Sequence, residues 1–157
     1  MNIAMVRPEI DPDSLLAGAQ FIDAFSVTVE GAALDARTAA DRMLGRSPGW
    51  VQALLAARDF LVKPFGLTTT KAAKQSSADR IGMFPVISDT PHRIVAGFND
   101  SHLDFRVVVD VAAAGRGQRV TATTVVLTHN LLGRAYLTII TPFHRLIVRT
   151  MLRQVAG

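Results

Sequence analysis

Hydrophobic positions in this chain recur at two different periods, and the change between them divides it into elements. From Asn130 to Ala156 the period is helical. Leu132, Ala135, Tyr136, Ile139, Ile140, Phe143, Leu146, Ile147 and Met151 fall at i, i+3, i+4 and i+7, while Arg134, Thr138, Thr141, Arg145 and Arg149 form a separate polar stripe. This predicts one long amphipathic C-terminal helix. Pro142 leaves two readings, because an interior proline removes a helix hydrogen bond. Either residues 131–155 form one helix kinked near 138–142, or 135–140 is a strand and Thr141 caps a new helix with Pro142 at its first position. The apolar phase passes through Pro142 unchanged, which favours the single helix.

Upstream the period is mostly two. Residues 1–19 read as a lead-in with little structure of their own, apart from a possible helical turn at Asp13-Ser14. A first strand is expected over Phe21 to Glu30. Asp35 then caps a short helix over Ala36 to Leu44, stopped by Gly45, and Ser47-Pro48 starts a second helix running to about Val62 or Phe65. The polar stretch 67–80 is expected to be a mobile loop, an insertion or lid. Four strands follow, at Ile81–Ser88, His92–Phe98, His102–Val111 and Gln118–His129, with short turns between them. Leu103, Phe105, Val107, Val109 and Val111 form the face of the third that should meet the long helix. In the fourth both faces are mixed, so its register stays open. The predicted fold class is α+β: an antiparallel sheet curled around the C-terminal helix, with two helices inserted after the first strand.

Composition adds boundaries to that picture. A chain of 157 residues suits one domain, taken as 1–157, and its 49% hydrophobic and 19% charged residues suit a packed core. The absence of cysteine excludes disulfides, thiol catalysis and thiolate metal sites. No basic-then-apolar leader opens the chain and no run of about 18 apolar residues could span a bilayer, so a cytoplasmic protein without a transmembrane segment is the expectation. The net charge of +4 is uneven: no acidic residue follows Asp110, so six arginines give the remainder of the chain +6 and leave −2 before it. On a helix packed against a sheet, such arginines are most simply its solvated face.

Candidate chemistry is sparse. There is no phosphate loop, no nucleophile elbow and no H-E-x-x-H, and the four histidines are too irregularly spaced for a metal motif, so no metal or cofactor is expected. His102, Asp104 and Arg106 share one strand face, where Asp104 and Arg106 could act as an orienting pair or as part of a plain salt-bridge ladder. His129, with Asn130, Arg134 and Tyr136, stands where the last strand meets the long helix. His129 is either a ligand-binding or proton-transfer group or a structural histidine beside an Asn130 N-cap. His144 reads as structural, and Trp50 as core or as a pocket wall.

Three stretches carry a family likeness: Pro48-x-Trp50-Val51-x-Ala53-Leu54-Leu55-x-x-Arg58-Asp59, His102-Leu103-Asp104-Phe105-Arg106, and His129-Asn130-x-x-Gly133-Arg134-Ala135-Tyr136 leading into Pro142-Phe143-His144-Arg145-Leu146-Ile147-Val148-Arg149. They resemble a bacterial family known as domain of unknown function 2867, over nearly the whole chain after Phe21. The resemblance implies a helix-grip fold of the START and Bet v 1 type (SRPBCC), with a cavity between sheet and helix, and it supplies no catalytic residues. The expected function is binding of a small, mainly apolar or amphipathic ligand by Trp50, Phe105, His129, Arg134, Tyr136, Phe143 and Ile147. Two alternatives stand beside it. One is a cyclase- or dehydratase-like enzyme using His129 and Tyr136 as catalytic groups in the same cavity. The other is a basic surface module for acidic lipid or, less favoured, nucleic acid.

Overall fold

The computed structural model describes residues 3–11, 14–30, 34–45, 49–62, 79–81, 84–99 and 102–156. Along the chain run β1 (Ala4–Val6), β2 (Phe21–Glu30), α1 (Ala36–Leu44), α2 (Gly49–Val62), β3 (Arg80–Ile81), β4 (Phe84–Asp89), β5 (Arg93–Asn99), β6 (Leu103–Ala114), β7 (Gly117–Thr128) and α3 (Leu131–Arg153). A 3-10 turn at Gln154–Ala156 follows. The strands form one curled antiparallel sheet of seven, in the order β1-β2-β7-β6-β5-β4-β3. The fold is therefore α+β, with the two helices between β2 and β3 as expected.

Local chemistry explains the elements. The Asp35 side chain accepts from Thr38 N at 2.7 Å and starts α1. Residues Gly115 and Arg116 form the two-residue turn between β6 and β7, and Gly115 takes a φ of 58°, as such hairpin turns require. Asn130 caps α3 by accepting from Gly133 N at 3.0 Å. The helix then runs unbroken through Pro142, as in the first of the two readings. Thr141 does not cap a new helix; its hydroxyl bonds back to Leu137 O at 2.6 Å.

Two expectations are refined. The lead-in contributes structure: Ala4, Met5 and Val6 pair with Ser26, Phe25 and Ala24, and Leu16 is buried. A three-residue edge strand is too short to declare itself by alternation. The segment expected as one strand from Ile81 divides into β3 and β4, with 82 and 83 outside the described residues. The Ser47-Pro48 cap and nearly all of the 67–80 loop also lie outside them.

The register of the mixed strand is now assigned. Phe25 pairs with Ala122 and Val27 with Val120, while Val109 pairs with Ala122 and Val111 with Val120. Strand alternation places Phe21, Asp23, Phe25, Val27 and Val29 on one face with Thr124, Val126 and Thr128. That inner face carries the core, closed by Ala39, Ala40 and Met43 of α1, Val51 of α2, and Val148, Met151, Leu152 and Val155. Side-chain bonds lock the corner: Arg42 Nη1 donates to Val155 O at 3.1 Å and Gln154 Nε2 to Met43 O at 3.0 Å.

The broad apolar stripe of α3 does not all turn inward. Leu132, Tyr136, Ile140 and Ile147 are half-buried on the sheet side, whereas Ala135, Ile139, Phe143 and Leu146 face outward. Apolar residues cover more of the circumference than one sheet face can receive, so a row is left outside.

Candidate functional site

Where β7 hands over to α3, two short networks meet. Asn130 uses its Oδ1 on Gly133 N, so its Nδ2 is the group 2.9 Å from His102 Nδ1. His102 Nδ1 therefore accepts, and the ring carries its proton on Nε2. Gly133 is required here, because a Cβ would collide with His102 O. Beside it, His129 Nε2 lies 3.0 Å from Asp104 Oδ1.

Alternation along β6 puts Asp104 and Arg106 on the outer face, opposite Phe105 and Val107. Arg106 Nη1 donates to Phe98 O at 3.2 Å and Phe105 O at 2.9 Å. Burial lowers the Arg106 pKa from its ordinary value, with the Asp104 carboxylate acting in the opposite direction. These bonds hold the helix start and the beginning of β6 in place.

The candidate ligand residues consequently divide. Phe105, Tyr136 and Ile147 lie on the inner side. Phe105 joins Phe84 and Phe98 in an aromatic cluster with centroids 5.2 to 6.1 Å apart. Trp50, Arg134 and Phe143 are exposed. His129 is turned to Asp104 on the outer face, while Tyr136 belongs to the helix stripe that meets the inner one, so the two are carried on different sides of the sheet.

A different group of residues stands on the inner face beneath the first four turns of α3. Asp23 is 3% exposed; His144 Nε2 lies 3.4 Å from its Oδ1, and its Oδ2 has no hydrogen-bond partner. The Phe21 ring meets the His144 ring edge-on at 6.0 Å. Asp23 pairs in register with Thr124, and four residues further along β7 the buried Thr128 Oγ1 is a second atom without a partner. The two orphan atoms are about 13 Å apart along the strand direction. Between them α3 presents Tyr136, Leu137 and Ile140, all half-buried.

No motif marks either orphan, yet the sequence carries a signal for one of them. Asp23 has the same parity as Phe21, Phe25, Val27 and Val29, so strand alternation alone aims a carboxyl group at the core.

The outer face has its own concavity, a groove of about 920 Å³ between β1 with the residues after it and the strands carrying Ser26, Thr28, Thr121 and Thr123. Its walls are charged, but Arg93 is already satisfied by Asp110 through Nε and Nη2. Among the described residues no group of three or more His, Cys, Asp or Glu side chains could hold a metal ion, and no helix is long and apolar enough to cross a membrane.

Residues 15–151 match the model of the family described as protein of unknown function (DUF2867), and the chain belongs to that family. No curated protein matches it.

Proposed function

We propose that this protein is a small-molecule carrier or receptor of the helix-grip, START and Bet v 1 type, which holds a mainly apolar ligand between the inner sheet face and the first four turns of α3. The observation that carries this reading is the pair of orphan atoms, Asp23 Oδ2 and Thr128 Oγ1. A buried polar atom left without a partner costs about 1–3 kcal/mol, and both atoms are closed off beneath one helix, so a guest that enters as α3 lifts would recover that cost by completing them. The half-buried Tyr136, Leu137 and Ile140 between them would supply apolar contact.

Native mass spectrometry of the purified protein, followed by denaturing release, tests the reading. A stoichiometric apolar or amphipathic adduct supports it. Added ligand at a hundred times its Kd should also raise unfolding free energy by about 2.7 kcal/mol. A protein that carries no adduct, and whose melting point is unmoved by a panel of apolar compounds, would sink it.

A second reading rests on the outer face of α3. Leu131 is 80% and Ile139 70% exposed, Phe143 and Leu146 are about half exposed, and Arg134, Arg145 and Arg153 stand alongside. Apolar side chains flanked by guanidinium groups suit the interface of an anionic bilayer. Co-sedimentation with phosphatidylserine vesicles that fades with salt, and is absent with phosphatidylcholine, would support it. Equal binding to both would count against it.

A further inference from the structure

We infer that the site under α3 selects a ligand bearing a hydrogen-bond donor, an apolar amine or alcohol, and rejects apolar carboxylic acids, with Asp23 as the recognising group. This rests on the binding reading above and specifies the chemistry of the guest. Asp23 projects from β2 on the helix side, between Phe21 and Phe25, and is 3% exposed. A carboxylate offers about four acceptor positions on its two oxygens. His144 Nε2, at 3.4 Å, approaches only Oδ1. No described group donates to Oδ2.

The nearby cations do not fill that position. The Arg149 guanidinium stands 5.4 Å above the Phe25 ring, and the Arg145 side chain is exposed. The vacant acceptor is closed off between sheet and helix, so a guest reaches it where α3 lifts from the sheet. An ammonium or hydroxyl group of a guest would donate to it, and a charge-assisted bond in a dry setting is roughly twice as strong as a neutral one. A guest carboxylate would instead bring a second negative group against Asp23, where low effective dielectric magnifies repulsion. The guest's apolar body would extend along Tyr136, Leu137 and Ile140 toward Thr128, whose orphan hydroxyl can accept or donate to a second polar atom.

The test uses three fluorescent near-isosteres: 2-naphthylmethylamine, 2-naphthylmethanol and 2-naphthoate. Their dissociation constants are measured on the wild-type chain and on Asp23→Asn. The expected result is that the amine and the alcohol bind about ten- to a hundredfold tighter than the naphthoate, and that Asp23→Asn brings the amine and naphthoate constants together.

If the naphthoate binds as tightly as the amine on wild type, the donor rule is overturned while the binding site stands. If none of the three binds, the binding reading falls and the donor rule with it. The wild-type ranking needs no variant, so the rule remains exposed to refutation even where Asp23→Asn fails to fold. Thr128→Val provides an independent reading: amine preference over naphthoate should persist in it, and its loss would place the recognition elsewhere than Asp23.

Discussion

The two halves of α3 are built on one hydrophobic period and do different work. In the C-terminal half Val148, Met151 and Leu152 are buried against Val27, Val29, Val120 and Ala122, and Arg42 and Gln154 tie that end to α1. From its N-terminus to His144 only Gly133 is fully buried, and the sheet beneath offers Asp23, Thr124 and Thr128. Where both layers are apolar they close on each other. Where the sheet turns polar, Asn130 caps the helix start, and the sheet face below carries unsatisfied buried atoms. One half is an anchor and the other is a roof.

The sharpest way to break this contrast is to truncate one residue from each half. Leu152→Ala should destabilise by about 2–5 kcal/mol in denaturant unfolding, while Ile139→Ala should stay within about 0.5 kcal/mol. Equal costs would mean that the helix packs uniformly. Next in size is Asp23→Asn, which removes a buried negative charge. It should leave stability level or raise it by about 1 kcal/mol while weakening amine binding, a trade expected of a functional position. A loss of several kcal/mol would instead make Asp23 a structural residue.

Removing the cap probes the start of the roof. Asn130→Ala should cost about 1 kcal/mol, since it loses the bond to Gly133 N and the contact with His102. Ligand affinity should fall with it if the roof shapes the site, and no change in affinity would separate the two.

The smallest effect concerns acid. Arg37, hydrogen-bonded to Asp79 and Asp89, holds the Asp79 carboxyl below its ordinary range, and the Thr38 hydrogen bonds do the same for Asp35. Carboxyl groups with lowered folded values stabilise the fold above the ordinary carboxylate pKa, and that contribution is lost as pH falls through the lowered ones. All these groups are exposed, so the effect should be weak and screened by salt. Asp79→Asn should therefore flatten the acid limb of thermal stability slightly, leaving the plateau near neutral pH close to the wild-type shape; an unchanged acid limb would show that Arg37 contributes nothing there.

Much of the architecture is legible in the sequence. The Asp35 and Asn130 caps, the turn glycine at 115 and the strand over 21–30 are local signals, set by side chains a few residues apart. The site was far less legible. His129 and Tyr136 are near in sequence, which suggested a shared cavity, yet a strand's end and a helix stripe direct them to different sides of the sheet. Asp23 and His144 are separated by 121 positions and meet only through packing.

The sequence by itself determined the helices, the longer strands, their order and the family, because periodicity and capping act over a turn or a strand pair. Only the tertiary structure decided which row of the α3 stripe faces the sheet and which faces water. It also decided the register of β7, and with it the placement of Asp23, Thr124 and Thr128 under one half of the helix. Those outcomes depend on how one apolar circumference is shared between a neighbour and solvent, a choice made across the whole fold and not within any segment of it.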